Sequence, residues 1–202
     1  MNKVFAFVGP KGGGKDTALA EYKDLYLKSG YTIIETDFSD GIRAVVAGVI
    51  YGEPHEISNL DERYLQWKNT ANRLNCFEMD SITSPTGRDM LIGVGETMKQ
   101  MFGQDIWAKY CELDVKRKLN CQDNNDKIAI FFGSTRFIHE AATVIRIADY
   151  IGTKPEFMFC NYNHAAEGMN VHASEKLAQY FVDLKIGHRQ DITNQIVQLC
   201  KK

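Results

Sequence analysis

An apolar run, Val4-Phe5-Ala6-Phe7-Val8, leads without a break into Gly9-Pro10-Lys11-Gly12-Gly13-Gly14-Lys15-Asp16-Thr17. The run reads as a strand covered on both faces. The glycines after it let the chain curl so that successive N–H groups point inward. A helical pattern opens at Thr17 and ends at Ser29-Gly30. Strand, glycine turn and helix in that order make an anion cradle, because the loop amides and the positive end of the helix face one point. The spacing Gly, four residues, Gly, Lys is that of a phosphate-binding loop. Asp16 stands where Ser or Thr is usual, and Thr17 follows one place later.

The rest of the chain continues the alternation. Short apolar runs at residues 3–8, 31–35, 127–132 and 156–160 predict parallel strands, with a weaker fifth near 181–186. Between them, apolar residues recur at helical spacing. Met90, Leu91, Val94, Met98 and Met101 form one such set, and Trp107, Cys111, Val115 and Leu119 another. Phe137, Ala141, Val144, Ile145 and Ala148 form a third, and Ile192, Ile196 and Leu199 mark a C-terminal helix. Ser84-Pro85 reads as a helix start, with Ser84 as N-cap and Pro85 at the first position.

This order predicts a single α/β domain over residues 1–202, a three-layer parallel sheet whose ligand lies beyond the carboxyl ends of the strands. A helical insertion at about residues 41–119 separates the second and third strands and is a natural place for a second-substrate pocket. Residues 120–126 and 161–170 read as exposed loops, the second as a segment that closes over the site.

Composition narrows the partners. The net charge of −2 gives no global attraction to nucleic acid, so no nucleic-acid partner is expected. No apolar run approaches the roughly 18–20 residues of a membrane span, and no targeting pattern opens the chain. A cytoplasmic protein without a membrane partner is the expectation. The five cysteines are scattered and contain no Cys-x-x-Cys pair, which argues for reduced thiols rather than a disulfide framework or a zinc site.

Polyanion chemistry needs convergent cations. Lys15 is the first candidate, bridging the transferring phosphate and its neighbour. Gly12, Gly13, Gly14, Asp16 and Thr17 complete the donor cradle; Lys11 inside the loop could reach an acceptor phosphate, the competing reading being a solvated loop lysine. A carboxylate at Asp16 either holds Mg²⁺, directly or through water, or caps the helix while the metal sits elsewhere. Asp37 and Asp40 follow the second strand, where a carboxylate can meet a sugar or a metal; turn chemistry alone also places Asp there. Arg43, Lys68, Arg73 and Arg88 fall in the insertion. Arg88 follows the Ser84-Pro85 start, where its fork could address a phosphate. Arg136 lies at a strand-to-helix switch as a phosphate clamp, with Glu140 one turn on to orient it; the competing reading is a structural Arg–Glu pair. Trp67 on the insertion could stack on a base, whereas Trp107 reads as packing.

In order, these pieces resemble the phage-type deoxynucleoside monophosphate kinases, of the P-loop nucleoside monophosphate kinase fold. Gly14-Lys15-Asp16-Thr17 is similar to the family's Gly-Lys-Asp, and Phe38-Ser39-Asp40-Gly41-Ile42-Arg43 to its Phe-Ala-Asp-Pro-Leu-Lys. The stretch Ser84-Pro85-Thr86-Gly87-Arg88-Asp89-Met90-Leu91, then Gly95, then Asp105-Ile106-Trp107, resembles Thr-Pro-Arg-x-x-Leu-Gln-x-x-Gly closed by Asp-x-Trp. Thr135-Arg136-Phe137-Ile138-His139-Glu140 resembles Asp-Val-Arg-Phe-x-Asn-Glu, and His172-Ala173-Ser174-Glu175 resembles His-x-Ser-Glu. Three positions depart from the pattern. Ser134 stands for an Asp, Ile92 for a glutamine, and Lys99 or Gln100 for an arginine.

The resemblance implies transfer of a phosphoryl group from ATP, with Mg²⁺, to a deoxynucleoside monophosphate. Lys15, Arg136 and Arg88 would be the catalytic cations. The substrate side would include Lys11, Asp37, Phe38, Arg43, Trp67, Lys68, Arg88 and Glu140. The partners are then small molecules, ATP and a dNMP, and a homodimer stays open. Phosphomevalonate kinases of the animal type look similar around Gly-Lys-Asp, and a nucleotide-binding protein with weakened catalysis is the other alternative.

Overall fold

The computed structural model describes residues 1–51, 87–122, 127–162 and 176–201. The first apolar run is strand β1 (Lys3–Val8), and it lies at the centre of the sheet. On one side it pairs in parallel with β3 (Ile128–Phe132), which pairs in parallel with β2 (Thr32–Thr36). On the other side it pairs in parallel with β4 (Pro155–Phe159). The order β2-β3-β1-β4-β5 is consistent with a P-loop-like fold.

The last strand corrects the expectation of an all-parallel sheet. β5 (Gln190–Asp191) is two residues long and runs antiparallel to β4, with Met158 opposite Asp191. The strand expected at 181–186 does not form: residues 184–185 are turn, and residues 181–183 end helix α6 (Lys176–Asp183), which buries Leu177, Ala178 and Phe181. Those positions share one helical face, so burial of that face outweighs the β-like composition of Phe181-Val182.

Helices cover both faces of the sheet. Helix α1 (Lys15–Lys28) places Ala18 and Leu19 against Phe5, Phe7, Ala129 and Phe131. Aromatic contacts tighten that side: the rings of Phe5 and Phe131 stack with centroids 5.2 Å apart, and Tyr22 meets Phe5 edge-on at 5.5 Å. Gly30 ends the helix at a φ of 76°, a conformation glycine adopts without penalty.

The opposite face carries the larger core, where Val4, Ala6, Val8, Ile130 and Phe132 meet three further helices besides α6. The later turns of α4 (Ile106–Asn120) contribute Ala108, Cys111 and Val115. Helix α5 (Ile138–Tyr150) contributes Ala141, Val144, Ile147 and Ala148, and α7 (Thr193–Leu199) contributes Ile196. Each fully buried Phe or Ile adds about 1.5–3 kcal/mol of burial free energy.

The chain divides into two compact units, Met1–Phe38 with Ala108–Lys202, and Ser39–Trp107. The second unit corresponds to most of the expected insertion and holds α2 (Asp40–Tyr51) and α3 (Gly87–Phe102). These two pack on each other at Gly95, where an added Cβ would stand 3.2 Å from Ile42 Cδ1. Trp107 is buried and donates its Nε1–H to the Gly95 carbonyl at 3.1 Å, so it is a packing residue. Among the described residues, no helix is long and apolar enough to cross a membrane.

Candidate functional site

The glycine turn sits at the carboxyl end of β1 and opens directly into α1. Two of its glycines are required by dihedral angle and two by space. Gly12 and Gly14 stand at φ 76° and 84°, the left-handed region that costs other residues roughly 1–2 kcal/mol. A Cβ on Gly9 would overlap the Cys160 carbonyl oxygen, and one on Gly13 would lie 2.5 Å from the same atom. The turn closes on itself through the Gly13 N–H donating to the Pro10 carbonyl at 3.0 Å.

Lys15 is the first residue of α1, and its ammonium reaches back across the turn. Nζ donates to the carbonyls of Gly9 and Pro10, both at 2.8 Å. The ammonium is therefore held over the loop mouth. Asp16 and Thr17 follow on the first turn of α1, both exposed. Asp16 adds a negative charge there, which suits the positive end of the helix. Lys11 is exposed on the turn.

The second wall comes from the end of β4. Cys160 donates its N–H to the Val8 carbonyl at 2.7 Å, and Tyr162 donates its N–H to the Gly13 carbonyl at 3.0 Å. Asn161 between them is buried and donates its N–H to His188 Nδ1 at 3.0 Å. The rings of Tyr162 and His188 meet at 5.6 Å. Arg189 stands at φ 57° and is tied to Glu21 of α1 by two contacts of 2.6 and 2.9 Å. Gly14, Thr17, Tyr162, His188 and Arg189 line a cavity of about 450 Å³. Burial pushes the Cys160 thiol up to about 11, so it stays protonated and is no nucleophile at neutral pH.

The third wall follows β3. Gly133 donates its N–H to the Thr36 carbonyl, and Thr135 donates its own to the Phe7 carbonyl. Arg136 is exposed, and its Nε donates to Ser134 Oγ at 3.0 Å. Glu140 acts on Arg136 through the main chain. Its Oε2 accepts the N–H of Arg136 at 2.6 Å and of Phe137 at 3.1 Å, half of a capping box at the start of α5. Burial pushes the Glu140 carboxyl up to about 7, with repulsion from Asp37 adding to it and the two N–H groups opposing it. Asp37 lies beside Gly133, where an added Cβ would be 3.5 Å from Oδ2.

Two buried polar atoms flank β1 at this end. Thr135 Oγ1 after β3 and Asn161 Oδ1 after β4 have no hydrogen-bond partner among the described residues. Such atoms are rare in folded proteins and concentrate where a ligand or water belongs.

The other expected residues divide by location. Phe38 is buried, its ring stacked on Phe132 at 5.5 Å. Arg43, in the second unit, pairs with Asp40 at 2.8 Å, and Lys99 there pairs with Glu96 at 2.8 Å. Arg88 falls in the first turn of α3. Trp67, Lys68, Arg73, Ser84, Pro85, His172 and Ser174 lie outside the described residues, as does the greater part of 161–170.

Sequence reasoning missed His188 and Arg189 as parts of this end of the sheet, and it gave Thr135 and Tyr162 no role of their own within the 135–140 stretch and the 161–170 loop. No motif marks His188 and Arg189, since they reach the site through strand order. A wider cavity of about 650 Å³ lies at the amino ends of β1 and β4, lined by Met1, Lys3, Asp149, Gly152, Thr153, Lys154 and Glu156. It is on the wrong end of the strands for an α/β ligand site, and Lys3 there is paired with Glu156 at 3.0 Å. No family model, curated protein or solved structure matches this chain.

Proposed function

We propose that this chain is an ATP-dependent deoxynucleoside monophosphate kinase, which moves the γ-phosphoryl group of ATP to the 5′-phosphate of a dNMP. One observation carries the reading: a glycine turn in left-handed geometry, on the carboxyl end of the central strand, with Lys15 Nζ held over its mouth by two carbonyls. Phosphate oxygens replace those carbonyls as partners of Lys15 when the donor binds, and the amide cradle and helix end add to the attraction. The base of the donor enters the cavity at Gly14, Thr17, Tyr162, His188 and Arg189, where an aromatic ring and a guanidinium offer planar surfaces.

The acceptor's attacking atom is an already ionised phosphate oxygen, so no general base is required. The chain's task is to bring two polyanions together and exclude water. Arg136, held by Ser134 and by the capped start of α5, steadies the transferring group. Arg43 and Arg88 are assigned to the acceptor phosphate on the resemblance described above.

Among the described residues, no group of three or more His, Cys, Asp or Glu could hold a metal ion. Mg²⁺ does not require such a group, because it keeps several waters and is held by one or two carboxylates together with substrate phosphates. We assign Asp16 to it. Bound there, the ion supplies charge neutralisation between the phosphates.

The test is ADP release in a coupled assay with each of the four dNMPs, their ribonucleotide counterparts and phosphomevalonate. Turnover with a dNMP supports the reading, and turnover with phosphomevalonate alone replaces it. ATP·Mg²⁺ binding without transfer to any acceptor would favour a nucleotide-binding protein that has lost catalysis, a reading to which Ser134 lends weight. Absence of ATP·Mg²⁺ binding removes both.

A further inference from the structure

The phosphate-binding turn is moulded from outside by the stretch Cys160-Asn161-Tyr162. The Cys160 carbonyl fills the space beside Gly9 and Gly13, the Tyr162 N–H holds the Gly13 carbonyl, and Tyr162 Cβ would be 3.3 Å from a Cβ on Gly14. This stretch has left β4, and among the described residues no strand ladder holds it beyond the bond from Cys160 to Val8. Besides the Tyr162 bond to Gly13, its anchor is a side chain. His188 Nδ1 accepts the N–H of Asn161, a residue only 8% exposed. A buried backbone donor without a partner is costly, so that acceptor decides where Asn161 sits.

We infer that His188 is a positioning residue of the nucleotide site, acting through Asn161 and Tyr162 on the geometry of Gly13 and Gly14. The inference rests on the reading that this turn binds ATP. An acceptor at Nδ1 means that a neutral His188 carries its proton on Nε2. Its Cε1 would be 3.5 Å from a Cβ on Gly14, so the imidazole also stands directly behind the start of α1. The ring is exposed, and its replacement leaves the core intact.

Two variants separate the acceptor from the ring. In His188→Asn the side-chain Oδ1 takes the place of Nδ1 and the ring is lost. In His188→Phe the ring and its contact with Tyr162 remain and the acceptor is lost. Binding is measured with ATP·Mg²⁺ and with tripolyphosphate·Mg²⁺, which has phosphates and no base. The expected result is a loss of about five- to tenfold for His188→Phe with both probes, and a loss within about twofold of wild type for His188→Asn with tripolyphosphate. A loss confined to ATP would make His188 a lining residue of the base cavity and overturn the positioning role. Equal losses in both variants, or none in either, would overturn it as well.

Amide hydrogen exchange in the ligand-free protein supplies a readout independent of nucleotide. His188→Phe should speed exchange at Asn161 and Tyr162 by a similar factor, and His188→Asn should leave it near wild type. Unchanged exchange in His188→Phe sinks the brace itself. If wild type binds neither probe while the exchange pattern holds, the kinase reading fails and the brace stands as a structural feature alone.

Discussion

Gly13 lies so close to the main chain of Cys160 that a Cβ built on it would stand 2.5 Å from the Cys160 carbonyl oxygen. The neighbour is backbone, which cannot rotate away, so substitution must move the turn. Gly13→Ala should lower ATP affinity at least tenfold and cost about 1–3 kcal/mol of stability through overpacking. Gly12→Ala meets no atom of the described residues within 4 Å and should show only dihedral strain, roughly 1–2 kcal/mol. Gly48→Ala, in helix α2 with no atom of the described residues within 4 Å of the added Cβ, should be neutral or slightly stabilising. Isothermal titration and urea unfolding of the three variants check the order.

Lys15 is half-buried, and its ammonium bonds to two carbonyls of the turn. Lys15→Ala should therefore leave the unfolding free energy within about 1 kcal/mol of wild type. Phosphoryl transfer should fall by at least about 10²–10³-fold, the loss typical of removing one preorganised charge from a transition state. Unchanged turnover in a folded variant would remove Lys15 from the mechanism.

Glu140 predicts a pH dependence with a definite sign. Its native carboxyl is pushed up to about 7, above the ordinary value of 4.5, because the group is buried and faces Asp37. Between those two values the native state holds a proton that the unfolded chain releases, so stability falls as pH rises through the window. The effect amounts to about 3 kcal/mol for this one group. Glu140→Gln retains a carbonyl that can accept the N–H groups of Arg136 and Phe137. It should be more stable than wild type at pH 8 and nearly level with it at pH 4.5. Equal slopes for the two proteins in unfolding measured across this range would contradict the assignment.

Arg88 tests the acceptor side. A forked guanidinium on a phosphate contributes roughly 1.5–3 kcal/mol. Arg88→Ala should therefore reduce kcat/KM for the dNMP by about ten- to a hundredfold while the KM for ATP stays within about threefold. Equal loss on both ligands would move Arg88 out of the acceptor site.

Much of the architecture was legible in the chain because local rules and burial agree there. The run Val4–Val8 is apolar at every position, and a central parallel strand is buried on both faces, so composition and environment coincide. The helices of Met90–Met101 and Trp107–Leu119 carry their apolar residues on one face, and both were predicted within a few residues of α3 and α4. At 181–186 the agreement breaks. Phe181-Val182 suits a strand by residue type, yet Leu177, Ala178 and Phe181 line the buried face of a helix. Glu140 shows the same limit at the site. Spacing alone offers Glu140 either as the residue that orients Arg136 or as its ion-pair partner, whereas the carboxylate bonds to the Arg136 backbone N–H and the guanidinium reaches Ser134.

The glycine turn was written in the sequence itself, since glycine spacing, a following lysine and a helix start act within nine consecutive residues. Local geometry is enough to specify such a cradle. What surrounds it was decided by tertiary structure alone. Strand order brings the end of β3 to one side of β1 and the end of β4 to the other, so Thr135, Cys160, Asn161 and Tyr162 reach a turn more than a hundred residues away. His188 joins them because the chain returns antiparallel beside β4. Contacts of that kind depend on which strands pair, and pairing is settled by burial across the whole sheet rather than by any short run of residues.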